Sequence, residues 1–203
     1  GHHIGSHSFA HQLAFTQTKA EFEDDLVKSK DIIENILGKS INAYRAPEFS
    51  ITKNNLWAFE SLIEAGFELD SSVFPAGRAH GGFTGFGSDK PMLLNVLGKS
   101  LKLFPINSKK IFGKSFIYSG GGYFRLFPLP VLNYWFNKDE YVMTYFHPRD
   151  FDPSQPMVPG LNMVRKFKSY VGLSSALSKL DYILAKNQFV SIEQASRMIN
   201  WNK

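Results

Sequence analysis

Cysteine is absent from the 203 residues of this protein. Disulfide bonds and thiolate metal sites are therefore excluded, and any metal ion must be held by nitrogen and oxygen ligands. Long apolar runs are also missing, because no stretch approaches the roughly 20 consecutive apolar residues that a membrane-spanning helix needs. We expect no transmembrane segment.

The excess of positive over negative charge is small, with a formal net charge of +5. The basic residues are scattered, and their densest stretch runs from Lys99 to Lys114. A stretch of this kind is more typical of a solvated face than of a nucleic-acid patch, and no nucleic-acid-binding motif is present. We therefore expect no nucleic-acid partner.

Apolar and aromatic residues are plentiful, at 43% and 15% of the sequence. This composition is that of a globular protein, and the length suits one sizeable core. No internal repeat, low-complexity tract or linker interrupts the sequence. The prediction is a single domain over residues 1–203.

Helical and extended patterns alternate along the chain. Helices are predicted over residues 18–37, 54–65 and 173–186, with a short one ending at Ile199. Short strands are predicted within residues 41–47, 67–75, 92–98, 101–106, 116–121, 141–148 and 189–192. The glycine-rich residues 76–91 are predicted to form a loop, in which His80 is expected to be inert.

This alternation predicts an α/β protein with a mostly parallel sheet, either open or closed into a barrel. Chemistry in such folds gathers at the carboxyl ends of the strands. The predicted strand ends carry Arg45, Asp70 with two serines, and His147. These side chains are the first candidates for a functional site.

Four of the six histidines occur within the first eleven residues. His7 and His11 have a spacing that would place both rings on one face of a helical turn, where paired imidazoles chelate zinc. Zinc would need at least one more ligand. The spacing alone leaves a chance pair open as the alternative.

The other candidates also have ordinary interpretations. His147 is either a structural histidine or a general acid or base. Asp70 is either a turn residue bonded to the following backbone or a carboxylate that orients an imidazole. Arg45 is either a surface residue or a planar clamp for a carboxylate.

Five segments follow one another along the sequence: GHHIGSHSFAH, YRAPEFSIT, FELDSSVFP, SGGGYFRLFP and YFHPRDFDPSQP. Together they resemble the polysaccharide deacetylases of carbohydrate esterase family four, in the branch found with exopolysaccharide synthesis. The resemblance implies a distorted (β/α) barrel that lacks its first strand in this sequence. It also implies that roughly residues 152–203 are a branch-specific C-terminal extension.

Site roles follow from matching this sequence to the family's motifs. His7 and His11 match the metal ligands, usually of zinc or another divalent transition metal. Arg45 matches the residue that grips the catalytic aspartate, Asp70 matches the residue that tunes the acid, and His147 matches that acid. The family's first motif supplies a base and a third ligand, both aspartates, and it is not in this sequence. We therefore expect a fragment that is inactive without them.

The implied reaction is hydrolysis of N-acetyl groups on amino sugars of a polysaccharide or its precursor, with release of acetate. Tyr123, Phe124 and Pro47 are the expected contacts with this acetylated glycan, although both aromatic residues would serve equally well in a core. The resemblance favours a bacterial protein that is cytoplasmic or peripheral to a membrane.

Two other functions are compatible with the sequence. The first is a glycan-binding protein on the same fold without catalysis, which would bind sugar even in the presence of a chelator. The second is a hydrolase of small non-peptide amides, which would be distinguished by its substrates.

Overall fold

The computed structural model describes residues 2–78, 81–96 and 98–201. They form two compact units: Gly1–Ile106 with Val190–Lys203, and Asn107–Phe189. The boundaries between the units fall at residues 107 and 190. They do not test the C-terminal extension predicted over residues 152–203, which stays a prediction. His80 lies outside the described residues.

The described residues form a mixed α/β fold. Its helices are α1 (Lys19–Leu37), α2 (Trp57–Glu64), α3 (Gly121–Leu126), α4 (Leu129–Lys138), α5 (Met163–Tyr170), α6 (Leu173–Lys186) and α7 (Ile192–Met198). Its strands are β1 (Ala43–Tyr44), β2 (Leu69–Asp70), β3 (Met92–Val96), β4 (Lys99–Leu103), β5 (Lys109–Ile111) and β6 (Lys114–Phe116). None of the described helices is both long enough and apolar enough to span a bilayer.

Helix α1 shows why the first predicted helix is confirmed. Its N-cap Thr18 and Glu21 form a capping box, in which the Glu21 carboxylate accepts from the Thr18 N–H at 2.8 Å. At the other end Gly38 adopts a left-handed conformation with φ of 64°, which ends the helix. The buried Phe22 and Leu26 then pack into the core of the first unit.

The sheet of the first unit has the strand order β1-β2-β4-β3. β1 pairs in parallel with β2, and β2 pairs in parallel with β4, whereas β3 and β4 form an antiparallel hairpin. Ser6 extends the sheet beyond β1 through a parallel bridge to Tyr44. The carboxyl ends of these parallel segments therefore lie side by side at one edge of the sheet.

The core of the first unit lies between this sheet and its helices. Its fully or almost fully buried apolar side chains include Phe22, Leu26, Tyr44, Ile51, Phe59, Leu62, Leu101 and Leu103. Helix α7 joins this unit after the chain returns, because the Lys102 ammonium donates to the Ser196 hydroxyl at 3.1 Å. Trp201 follows and packs edge-on against Phe104.

The second unit is built from the β5–β6 hairpin and helices α3 to α6. Its core contains Tyr118, Phe124, Leu132, Phe136 and Ile183. Helix α6 is confirmed at its predicted limits, but α3, α4 and α5 were not predicted.

Three predicted strands are wrong. Of residues 116–121, only Phe116 lies in a strand, and α3 begins at Gly121. Residues 189–192 contain no strand, because α7 begins at Ile192. Residues 141–147 are extended but pair only at Tyr145, through one bridge to Gly120. A side chain at Gly120 would collide with the Tyr145 carbonyl, so this close approach requires glycine.

Candidate active site

The two predicted metal ligands lie on a turn that follows the edge of the sheet. The Ser6 N–H donates to the Ala43 carbonyl at 2.8 Å, and the Arg45 N–H donates to the Ser6 carbonyl at 3.1 Å. The chain then turns through left-handed Ser8 and His11, with φ of 71° and 54°. Residues 7–11 are therefore not helical, and the predicted helical geometry is wrong.

The turn nevertheless brings the two rings together. The ring centroids of His7 and His11 are 5.1 Å apart, and both side chains are exposed. His7 Nδ1 lies 2.6 Å from the Arg45 carbonyl, which can only accept, so Nδ1 carries the proton. The lone pair of His7 is then on Nε2, as in histidines that bind metal through Nε2 and donate through Nδ1.

Asp25 anchors this turn from α1, a role that the sequence analysis missed. One carboxylate oxygen of Asp25 accepts from the Phe9 N–H at 2.9 Å, and the other accepts from the Ala10 N–H at 2.8 Å. Asp25 is buried, and its position follows helical spacing with Phe22, Leu26 and Ser29, which are also buried. That spacing was the signal in the sequence, since it assigns Asp25 to the inward face of α1.

Arg45 lies where β1 ends and reaches across to the end of β2. Its Nε donates to the Ser71 carbonyl at 3.2 Å and its Nη2 donates to the Ser71 hydroxyl at 2.8 Å. The Ser71 hydroxyl in turn donates to the Phe104 carbonyl at 3.0 Å, just beyond β4. The guanidinium at the end of β1 is therefore held by Ser71 at the end of β2, and Ser71 is itself held by a carbonyl just beyond β4.

Asp70 is the buried carboxylate of this edge, with 0% of its surface exposed. It accepts from the Ser72 N–H at 2.8 Å and from the Ser72 hydroxyl at 2.5 Å. Burial raises the pKa of Asp70 to about 6, against the opposing effects of the Ser72 hydrogen bonds and the Arg45 charge. The Asp70 carboxyl therefore binds its proton more tightly in the folded protein than an exposed aspartate would.

Pro47 follows on the same loop but is buried. It opens a short 3₁₀ turn, Pro47–Phe49, whose last two residues are left-handed. The loop is pinned at Ala46, whose N–H donates to the Ser72 hydroxyl at 2.8 Å. Pro47 thus presents no exposed ring to a sugar, and its predicted contact with substrate lacks support.

His147, in the second unit, has a local carboxylate partner that the sequence analysis missed. The side chain of His147 is 58% exposed, and its Nδ1 lies 3.8 Å from the Asp150 carboxylate. The same carboxylate accepts from the His147 N–H at 3.0 Å. The signal in the sequence was the acidic residue three positions after the histidine, at the start of a proline-led turn.

Asp150 is itself held by a buried cation. Its second oxygen lies 3.5 Å from Arg125 Nε, and both side chains are almost fully buried. Burial acts to raise the pKa of Asp150, but the contacts with the His147 ring and N–H and the charge of Arg125 outweigh it and lower the pKa. Asp150 is therefore an anion at neutral pH beside the imidazole of His147.

The two aromatic candidates for sugar contact differ sharply. Tyr123 is 39% exposed and its ring stacks on Phe127. Phe124 is 0% exposed and packs edge-on against Phe146. Phe124 is a core residue without an exposed ring face, so the structure gives it no contact with a glycan.

No group of three histidine, cysteine or carboxylate side chains capable of holding a metal lies within residues 2–78, 81–96 and 98–201. The histidine pair thus offers two ligands, and zinc stays a prediction. The tuning of His147 by Asp70 also stays a prediction, because the two residues belong to different units.

Two models of known families match the chain. A family model described as a domain of unknown function, DUF3473, matches residues 71–197, well over half of the chain. The chain belongs to this family. A second model, described as polysaccharide deacetylase, matches residues 1–63. The matched N-terminal part, which contains His7, His11 and Arg45, is therefore similar to a polysaccharide deacetylase domain.

Two curated relatives match shorter stretches. A peptidoglycan deacetylase from Helicobacter pylori is 36% identical over 75 residues, which is 36% of this chain and 24% of the relative. A peptidoglycan-N-acetylglucosamine deacetylase from Bacillus cereus is 30% identical over 69 residues, or 34% of this chain and 25% of the relative. The chain thus spans about a quarter of the length of these relatives.

A solved structure shares the fold over nearly the entire chain. This crystal structure, from Mycobacterium smegmatis, is described as a proposed polysaccharide deacetylase and aligns with a TM-score of 0.61 at 15% identity. The alignment covers 98% of this chain and 63% of that one. The resemblance to polysaccharide deacetylases that the sequence indicated is confirmed.

Proposed function

We propose that this chain provides most of the active site of a metal-dependent enzyme that removes N-acetyl groups from amino sugars of a glycan. The observation that carries the proposal is the histidine pair. His7 and His11 lie 5.1 Å apart at the edge of the sheet, and the Arg45 carbonyl fixes the tautomer of His7. This arrangement is the usual one for histidines that hold a catalytic metal.

His7 and His11 would hold zinc or another divalent transition metal. When bound, such an ion supplies polarisation of the acetyl carbonyl and a lowered pKa for water. Asp25 positions both histidines by holding the backbone of the turn between them. Arg45 adds a fixed cation at the same edge, where it would orient a carboxylate.

His147 would donate the proton to the departing amine. Its exposed ring is accessible to a ligand, and the Asp150 carboxylate lies 3.8 Å from its Nδ1, where it would orient the imidazole. Asp70 would act on the electrostatics of the first unit, since its carboxylate is fully buried and engaged with Ser72. A third metal ligand and a general base would come from carboxylates outside the described residues.

The proposed fold of the complete enzyme is the distorted (β/α) barrel. The parallel arrangement of Ser6, β1, β2 and β4 is the part of such a barrel that this chain would contribute. Ser6 lies at the edge of this arrangement, next to β1. A further parallel strand beside residues 5–7 would carry its carboxyl end to the histidine pair.

The proposed substrate is a polymer of N-acetylated amino sugars. Both curated relatives are named for deacetylation of peptidoglycan, and an exopolysaccharide is the alternative within the same chemical class. Tyr123 offers an exposed ring on which a sugar could stack. Removing the acetyl group would convert a neutral amide into an amine that is cationic at neutral pH.

The test is acetate release from N-acetylglucosamine oligomers by the full-length native protein, with and without a chelator. We expect release that the chelator abolishes, a loss with His11→Ala, and a loss of about 10²–10⁴-fold in rate with His147→Gln. His3→Ala is the matched control, because His3 contacts Asn42 rather than the pair. Sugar binding without acetate release, unaffected by the chelator, would instead support a glycan-binding protein.

A further inference from the structure

The second unit carries an exposed apolar surface on α5 and the loop before it. The apolar side chains of this surface are each more than half exposed, namely Met157, Val158, Met163, Val164 and Phe167. Met163, Val164 and Phe167 share one side of α5 by helical spacing. Scattered exposed apolar residues are ordinary, but an ordered cluster of this size is typical of an interaction surface.

The structure fastens this surface in place. The Tyr170 hydroxyl accepts from the Val158 N–H at 2.8 Å and donates to the Pro156 carbonyl at 3.1 Å, so the loop lies against α5. At the end of α5, the buried Arg125 donates to the carbonyls of Ser169 and Lys168 at 2.7 and 3.1 Å. The apolar side chains are therefore presented on a held backbone.

Cations surround the apolar side of α5. Lys166 and Lys168 lie at its two edges, and Arg165 lies on the opposite side, with all three side chains exposed. No aspartate or glutamate occurs between Asp152 and Asp181, although the chain as a whole contains 18 acidic residues. The surface is thus positive as well as apolar.

We propose that α5 and the loop at Met157–Val158 dock onto the surface of an anionic phospholipid bilayer. Apolar side chains at the centre of a short helix, with lysines at the edges, match the layering of acyl chains below negative headgroups. The long lysine side chains can lie along the apolar face while their ammonium groups stay among the headgroups. This inference goes beyond the proposed deacetylation and does not rest on it.

The test is cosedimentation of the 203-residue chain with vesicles of phosphatidylcholine containing about 30% phosphatidylglycerol, beside vesicles of phosphatidylcholine alone. We expect binding to the anionic vesicles only, and its loss at about 0.5 M NaCl. Phe167→Ser should lower the partition coefficient roughly tenfold. Lys166→Gln and Lys168→Gln should each lower it about fivefold.

The matched controls are Ile36, which is exposed near the end of α1, and Lys39, which is exposed just after that helix. Ile36→Ser and Lys39→Gln should leave vesicle binding unchanged. Phe167→Leu should retain most of the binding, which separates loss of the apolar contact from loss of folding.

Several results would overturn the proposal. No binding to anionic vesicles, equal binding to uncharged vesicles, or equal losses in the control variants would each contradict it. Self-association in analytical ultracentrifugation that Phe167→Ser abolishes would assign the surface to a second copy of the chain. Binding to an anionic polysaccharide that Lys166→Gln weakens and Phe167→Ser does not would assign it to a polymer.

Discussion

The two units hold their candidate catalytic side chains in different ways. In the first unit, His7 bonds to the carbonyl of Arg45, and its turn bonds to Asp25, so the contacts join residues far apart in the sequence. In the second unit, His147 is held by Asp150, three residues later, which is anchored in turn by Arg125. The first arrangement depends on the sheet, and the second depends on one local turn and one buried cation.

This difference has a consequence for how each site responds to mutation. His7 is fixed both by a carbonyl at the end of a strand and by a turn that Asp25 holds, so it keeps one of these contacts when the other is lost. A histidine fixed by one carboxylate loses its orientation when that carboxylate is protonated or replaced. The two buried carboxylates also differ in charge preference, since the pKa of Asp70 is raised to about 6 and the pKa of Asp150 is lowered.

The largest expected effect is the pH dependence that Asp70 gives to the stability of the first unit. Its pKa of about 6 in the folded state, against an ordinary 3.8, means that the folded protein binds the proton more tightly than the unfolded chain. The stabilisation is therefore fully present below about pH 4 and is lost as the pH rises through 6. The loss amounts to about 3 kcal/mol by pH 7.

Urea unfolding of the wild type and of Asp70→Asn, at intervals from pH 4 to pH 7, measures this pH dependence of the free energy of unfolding. The wild type should lose free energy of unfolding relative to the variant as the pH rises. A difference between the two proteins that stays constant over this range would contradict the prediction.

The second effect concerns the anchor of the histidine turn. Asp25→Asn leaves one carbonyl oxygen where two carboxylate oxygens held the Phe9 and Ala10 N–H groups. We expect zinc affinity to fall about 10–100-fold, the usual consequence of losing a group that positions metal ligands. Isothermal titration calorimetry measures it, with Asp24→Asn as the matched control because Asp24 is exposed on the same helix. Equal losses in both variants would refute a specific role for Asp25.

The third effect breaks the corresponding anchor in the second unit. Asp150→Asn removes the anion that faces both Arg125 and His147, so we expect a loss of about 2 kcal/mol in the free energy of unfolding at pH 7. Because the folded-state pKa of Asp150 is lowered, its stabilisation is present above the ordinary value and is lost as the pH falls. The difference in free energy of unfolding between the wild type and the variant should therefore become smaller at acidic pH.

Asp152→Asn, at a nearby exposed carboxylate, is the control for this measurement. In the full-length protein, Asp150→Asn should also lower kcat for acetate release without changing KM, because it acts through His147. A change confined to KM would contradict that positioning role.

The smallest expected effect separates the two aromatic candidates. Tyr123→Ala removes an exposed ring and should weaken glycan binding about fivefold, whereas Tyr134→Ala removes an even more exposed ring elsewhere and should not. Phe124→Leu should lower stability and leave glycan affinity unchanged, since Phe124 is buried. Tryptophan fluorescence or calorimetry with N-acetylglucosamine oligomers measures the affinities.

Local signals in the sequence were enough to predict part of this structure. Helix α1 has its capping box and its terminal glycine, and α6 has a clear helical spacing, so both were predicted almost to the residue. Residues 41–47 and 67–75 were predicted as strands, each ended by a proline, and the strands observed within them carry Arg45 and Asp70 at their ends. Parallel strands then bring these ends together.

Tertiary contacts explain what was missed. The run from Tyr141 to Phe146 is β-prone, yet it pairs only at Tyr145, because the glycines it approaches lead at once into α3. The left-handed turn at Ser8 and His11 depends on Asp25, which lies on another element, and spacing alone suggested a helix there. Asp150 was missed because its role depends on Arg125, 25 residues earlier in the sequence.

Zinc binding is the most direct test of the proposal that His7 and His11 hold a metal ion. Calorimetric titration of the full-length native protein with zinc, beside its His7→Ala and His11→Ala variants and a His2→Ala/His3→Ala control, isolates the pair from the neighbouring histidines. We expect saturable binding of one zinc ion. Either single variant should abolish this binding, and the control should retain it. Binding that survives in His7→Ala and His11→Ala but disappears in the control would contradict the proposal.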